Sequence, residues 1–171
     1  MTELSRAFID QSRQLLTDSY MPRIEHAIEG LSSENIWWRS NAAANSIGNL
    51  ILHLDGNVRQ WIISGLGGAT DIRERRREFD APSGMDRARL AGQLRATVAE
   101  ADRVLANIEP ATLLEHRRIQ SYDVTVMSAI YAVVEHFSMH TGQIIFVAKM
   151  RFYDVSGGAP HPTWRGGVAG H

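Results

Sequence analysis

Apolar side chains recur every three or four residues along four stretches of this chain, which predicts helices rather than strands. The first stretch runs from about Glu3 to Gly30. Leu4, Phe8, Leu15, Tyr20, Ile24, Ile28 and Leu31 share helical spacings there, and Gly30 can end it in a left-handed conformation. Pro22 interrupts that pattern and predicts a kink or a break near Tyr20, since proline lacks an amide donor and crowds the preceding turn. A second stretch begins at Asn45 or Ser46, either of which can cap a helix, and carries Ile47, Leu50, Ile51, Leu54, Val58, Trp61 and Ile62 as far as Gly65. The third starts near Met85 or Asp86, keeps its spacing through Leu90, Leu94, Val98, Ala101, Leu105 and Ile108, and stops at Pro110. A fourth opens around Asp123 to Thr125 and continues to about Tyr153, with Val126, Ala129, Val133, Phe137, Ile144 and Val147 on its apolar face.

Between these stretches, Leu31 to Asn45 reads as a connection whose Trp37 and Trp38 cover one end of the core. Ala69 to Gly84 reads as a polar connection holding Arg73, Arg75, Arg76 and Arg77. Only the short run Ile119 to Met127 is ambiguous between strand and helix. Four helices with one apolar face each bury those faces best against one another. The expected fold is therefore all-α, a four-helix bundle over residues 1–155 with a kinked first helix. An irregular glycine- and proline-rich tail follows at 156–171. In that tail Trp164 and His161 could serve an interface, or His161 could close over a metal; simple packing is the plainer reading.

Composition narrows the function. The 171 residues carry 18 basic and 19 acidic side chains, a formal charge of -1. That neutrality argues against charge-driven binding of nucleic acid or of anionic membranes. There is no cysteine, which excludes disulfides, thiolate ligands and a cysteine nucleophile, and leaves His, Asp and Glu as metal ligands. Met1 to Asp10 is amphipathic and acidic, unlike a secretory signal, and no apolar run approaches the roughly 20 residues of a membrane helix. A cytoplasmic location is the expectation.

Candidate chemistry rests on histidines. His136 and His140, four residues apart, stack on the apolar side of the fourth helix among Val133, Phe137 and Ile144. One buried imidazole is readily satisfied by a neighbour, whereas two on adjacent turns leave four ring nitrogens to pair. A metal would take one nitrogen from each. His53, at the flank of the second helix's stripe, is the natural third ligand, since facing helices of a bundle can converge on one ion. Three histidines with an open position suit a catalytic metal. From spacing alone, satisfied core histidines remain an equal alternative. The pair is not HExxH: Phe137 follows His136, and Glu135 precedes it and points about 120° away on the helical wheel, so it is not assigned as a general base.

Two segments resemble those of DinB-like (YfiT-like) four-helix proteins. Asn45-Ser-Ile-Gly-Asn-Leu-Ile-Leu-His53-Leu-Asp-Gly-Asn57, followed by Trp61, is similar to their second helix. Val133-Val-Glu-His136-Phe-Ser-Met-His140-Thr-Gly-Gln143-Ile-Ile is similar to their metal-binding helix. The Tyr20-Met-Pro22 kink, the Trp37-Trp38 connection and the arginine-rich stretch ending at Glu78-Phe79 also fit one branch of the family, so the likeness spans about Leu4 to Tyr153. The resemblance implies that His53, His136 and His140 are divalent-metal ligands, with zinc or nickel foremost and iron or manganese also compatible. It further implies a metal-dependent S-transferase acting with a low-molecular-weight thiol, with a metal-dependent hydrolase or a non-catalytic metal-stabilised module as alternatives, and a homodimer. The expected partners are a small-molecule substrate and a second copy of the chain, not nucleic acid or membrane. Asn57 and Gln143, one turn from His53 and His140, could orient a ligand. The Arg73 to Arg77 run could grip a substrate carboxylate or lie in solvent.

Overall fold

The structure, a computed structural model, describes residues 2–81 and 83–155. The tail at 156–171, with His161 and Trp164, lies outside the described residues. In chain order the elements are α1 (Thr2–Gln14), a π-helical turn (Leu15–Tyr20), α2 (Met21–Ile28), α3 (Ser33–Trp37), α4 (Ile47–Val58), a second π-helical turn (Arg59–Ser64) and α5 (Arg75–Asp80). There follow α6 (Arg87–Ala106), a 3₁₀ turn (Pro110–Leu114), β1 (His116–Ile119), β2 (Tyr122–Thr125) and α7 (Val126–Val155). The four bundle helices are thus 2–28, 47–64, 87–106 and 126–155, and α4 packs against both α6 and α7.

Pro22 kinks the first helix without breaking it. The turn before it is widened, with the Met21 amide reaching back five residues to the Leu16 carbonyl, which makes room for the proline ring in the first turn of α2. The wider turn also shifts the helical phase. Ile9 and Leu16 enter the core, Leu15 is half-buried and Leu4 is 78% exposed, contrary to the sequence pattern for the last two. In α4, Ser46 caps the helix in a reciprocal box with Asn49; Asp86 caps α6. Ile47, Leu50, Ile51, Leu54, Val58 and Ile62 are buried as expected, and so are Leu90, Leu94, Val98, Ala101 and Leu105 of α6.

The connections hold more structure than their sequences predict. Residues 31–45 contain α3, whose last residue, Trp37, packs on Gly48, where an added Cβ would lie 2.8 Å from the indole; the Trp37 Nε1–H donates to the Met85 carbonyl. The polar stretch 69–84 contains α5. Its end is tied to α4: Asn49 Nδ2 donates to the Glu78 carbonyl and an Arg39 guanidinium nitrogen to the Phe79 carbonyl. The ambiguous run resolves into an antiparallel hairpin pairing His116 with Thr125 and Ile119 with Tyr122. Its turn places Gln120 at φ 56. Buried Ile119 abuts Gly65, seating the hairpin at the end of the second bundle helix. Among the described residues no helix is long and apolar enough to cross a membrane.

Candidate metal centre

His53 projects from α4, and His136 and His140 from successive turns of α7, so the α4–α7 contact sets their meeting point. His136 Nε2 lies 3.1 Å from His53 Nε2 and 2.9 Å from His140 Nε2. Nitrogen pairs around an ion with bonds of about 2.0–2.1 Å are separated by about 3.3 Å in a tetrahedron and about 2.9 Å in an octahedron. The three side chains offer one ligand atom each, all within 4.8 Å of one another. His53 and His140 are buried, while His136 is half-buried.

Two partners fix the direction of these rings. The Glu78 carboxylate lies 2.8 Å from His53 Nδ1, and the Gln143 amide oxygen 2.7 Å from His140 Nδ1. Both are acceptors, so each Nδ1 carries the proton and each Nε2 turns a lone pair inward. Arg73 Nη2 also sits 3.1 Å from His53 Nδ1, but it donates to Glu78 Oε2 at 2.9 Å, and an arginine supplies no lone pair. A single hydrogen on His136 Nε2 could satisfy only one of two facing lone pairs. His136 Nδ1, itself buried, has no partner among the described residues. The donor set is therefore unsatisfied by protein alone and suits a cation; the three histidines fit a divalent ion.

Glu78 is held in turn. Arg73 Nε donates to Glu78 Oε1 at 2.7 Å, and Arg73 Nη1 to Gln60 Oε1 at 2.8 Å. Gln60 Nε2 reaches Asp71, whose other oxygen accepts the Arg73 amide. The side chains of Arg73 and Glu78 are only 6% and 9% exposed. The arginine run is thus divided: Arg73 is buried behind His53, while Arg76 and Arg77 pair with Asp80 and Glu74 at the surface. Behind this latch a cavity of about 530 Å³ shares Arg73 and Glu78 in its wall but none of the three histidines.

A family model described as a protein of unknown function, DUF1572, matches residues 3–154. The chain belongs to the DUF1572 family. Among curated proteins no sequence matches this DUF1572 chain. Its structure is similar to the crystal structure of a DinB-like protein from Bacillus cereus, with a TM-score of 0.63 over 78% of this chain and 86% of that one at 14% sequence identity. At that identity the likeness speaks to the fold, which is the DinB-like bundle expected from the two helical segments.

Electrostatics favour neutral rings in this DUF1572 protein. Burial lowers the His136 pKa from 6.5 to about 4, assisted by the charges of His140 and His53 and, more weakly, of Arg73 and Arg75. His140 is lowered chiefly by burial, against the opposing effect of the hydrogen bond it donates to Gln143. Burial alone would raise the Glu78 carboxyl, but hydrogen bonds and charge from Arg73 and His53 outweigh it and hold the group below the ordinary value. Neutral imidazoles are the form that binds metal.

Of the residues singled out in the sequence, His53, His136, His140 and Gln143 are brought together, with Gln143 orienting an imidazole. Among the described residues Asn57 does not join them through a hydrogen bond, and its buried Oδ1 has no partner there. Glu135 is exposed and outside the cluster, as its helical direction predicts. Glu78 and Arg73 were not identified as supports of His53. Glu78 is one of four acids, Asp71, Glu74, Glu78 and Asp80, in and around the arginine run, and nothing local assigns it to a residue 25 positions earlier.

Proposed function

We propose that this DUF1572 protein is a divalent-metal enzyme of the thiol-transferase type, with His53, His136 and His140 as ligands. The observation that carries the reading is the convergence of three Nε2 atoms, two of them fixed as lone pairs by Glu78 and Gln143. A divalent ion held by three neutral imidazoles keeps its full charge and lowers the pKa of a thiol or water that reaches it.

The chain's own groups favour a nucleophile that ionises easily. Glu78 is committed to Arg73 and His53, and Glu135 lies outside the cluster, so among the described residues no free carboxylate stands ready to deprotonate water. A free thiol has a pKa of about 8.5 and water about 15.7, so a site without a general base asks far less of a thiol. With no cysteine in the chain, that thiol comes from a small cosubstrate. His136, the most accessible of the three, borders the approach, while burial of His53 and His140 keeps water from their far sides.

Elemental analysis of the purified protein beside His53→Ala, His136→Ala and His140→Ala tests the site. The expected result is about one metal per chain, lost in each variant with helix content retained. Turnover that needs both metal and a low-molecular-weight thiol supports transfer. Metal-dependent turnover of an ester without thiol moves the assignment to hydrolysis, and a wild type that refuses zinc and nickel overturns it.

A further inference from the structure

Arg75 stands apart from the other arginines of its run. Arg73 is buried on Glu78, Arg76 pairs with Asp80 and Arg77 with Glu74, but Arg75 has no carboxylate partner among the described residues. Its guanidinium instead lies over the Phe79 ring, 5.2 Å from the centroid. The Phe79 ring lies 4.8 Å from the His53 ring. Phe79 is thus a platform with a metal-ligand candidate on one flank and an uncommitted cation on another.

That platform is fixed. The Phe79 carbonyl accepts from Arg39 and the Glu78 carbonyl from Asn49, so α5 cannot drift along α4. Arg75 is itself exposed, and His136 is the half-buried member of the cluster. Glu78 is neutralised by Arg73, so a divalent ion on three neutral imidazoles would leave the centre with net positive charge. Such a field draws anions, and a guanidinium binds a carboxylate through two parallel hydrogen bonds.

We propose that Arg75 receives the carboxylate of a ligand held at the three-histidine centre, so that the site selects small anionic molecules whose metal-binding group and carboxylate are a few bonds apart. The inference rests on the metal reading above and names its substrate class. Arg75 is then a specificity-determining residue: it discriminates between ligands that carry the same metal-binding group with and without a carboxylate.

The test uses cobalt(II)-loaded protein, whose visible spectrum reports ligands entering the metal, titrated with 3-mercaptopropionate and with its uncharged counterpart 2-mercaptoethanol. Wild type should bind the carboxylate thiol more tightly, and Arg75→Gln should lose about fivefold of that preference, the worth of one well-placed exposed ion pair. Arg76→Gln, on the same short helix, should keep it, and Arg75→Lys should restore part of it. Equal binding of both thiols by wild type, or a preference that survives Arg75→Gln, overturns the proposal. If neither thiol perturbs bound cobalt, the thiol reading fails by itself. Malonate against acetate then decides Arg75 by the same criterion, since only malonate can bind metal and arginine together. A wild type that binds no cobalt refutes both.

Discussion

Replacing Glu78 with glutamine preserves the side chain's shape and removes its charge, which separates two roles the carboxylate plays. Arg73, 6% exposed, would be left with Gln60 and no anion. Removing one partner of a buried pair costs about 3–5 kcal/mol, because the surviving charge stays desolvated; the glutamine oxygen can still accept one bond, so the lower end, about 3 kcal/mol, is expected. His53 would lose the anion on its Nδ1–H, and loss of such an outer partner weakens metal binding by about 10–100-fold. Urea denaturation of metal-free protein reads the first effect, and competition against a chromophoric chelator reads the second. Adding Arg73→Met to Glu78→Gln distinguishes them. With both charges gone, most of the lost stability should return, but not the metal affinity, since His53 still lacks its carboxylate. Metal affinity of Glu78→Gln within about twofold of wild type would refute the orienting role. Recovery of affinity in the double variant would instead trace the defect to the stranded arginine.

The metal-free protein should lose stability in mild acid. His136 and His140 bind protons more readily in the unfolded chain, so the contribution of each is complete above pH 6.5 and is lost as pH falls below it, that of His136 down to about 4. Glu78, lowered from 4.5, contributes above its ordinary value and gives way only at more acidic pH, so it does not oppose this trend. Denaturation midpoints at pH 7 and pH 5 check the sign, and bound metal should be released over the same interval. Gly48→Ala should destabilise by about 1–3 kcal/mol, because the new methyl meets the Trp37 ring and that ring is anchored through its Nε1–H to Met85. A melting temperature within about a degree of wild type would show that Trp37 yields freely.

Much of this organisation was legible in the sequence because the bundle faces are long and strictly periodic. Ser46 and Asp86 announce two of the helix starts, and His136 and His140 share a face at any reasonable helical pitch. The hairpin was hidden because Gln120-Ser121 supplies none of the Asn-Gly or Gly-X chemistry that marks a two-residue turn. Helix α5 was hidden for another reason: six residues dominated by arginine have no apolar stripe, and tertiary bonds from Arg39 and Asn49 hold it. Leu15 and Leu16 exchanged roles because a widened turn cannot be read from composition. At the site, periodicity found what lies on the bundle helices. It could not find Arg73 and Glu78, which come from a polar stretch and matter only once the chain has closed on itself.

That closure gives the centre a place in time. The His136–His140 pair exists as soon as one turn of α7 forms, but His53 is 83 residues away and Glu78 lies on a segment that must dock separately. Helix α7 is also the last of the four to leave a ribosome building the chain from its N-terminus. The full donor set therefore belongs to the late native state and not to the first collapsed forms. An ion captured there would leave the folding rate nearly unchanged and slow unfolding, making residence of the metal a determinant of how long each molecule persists.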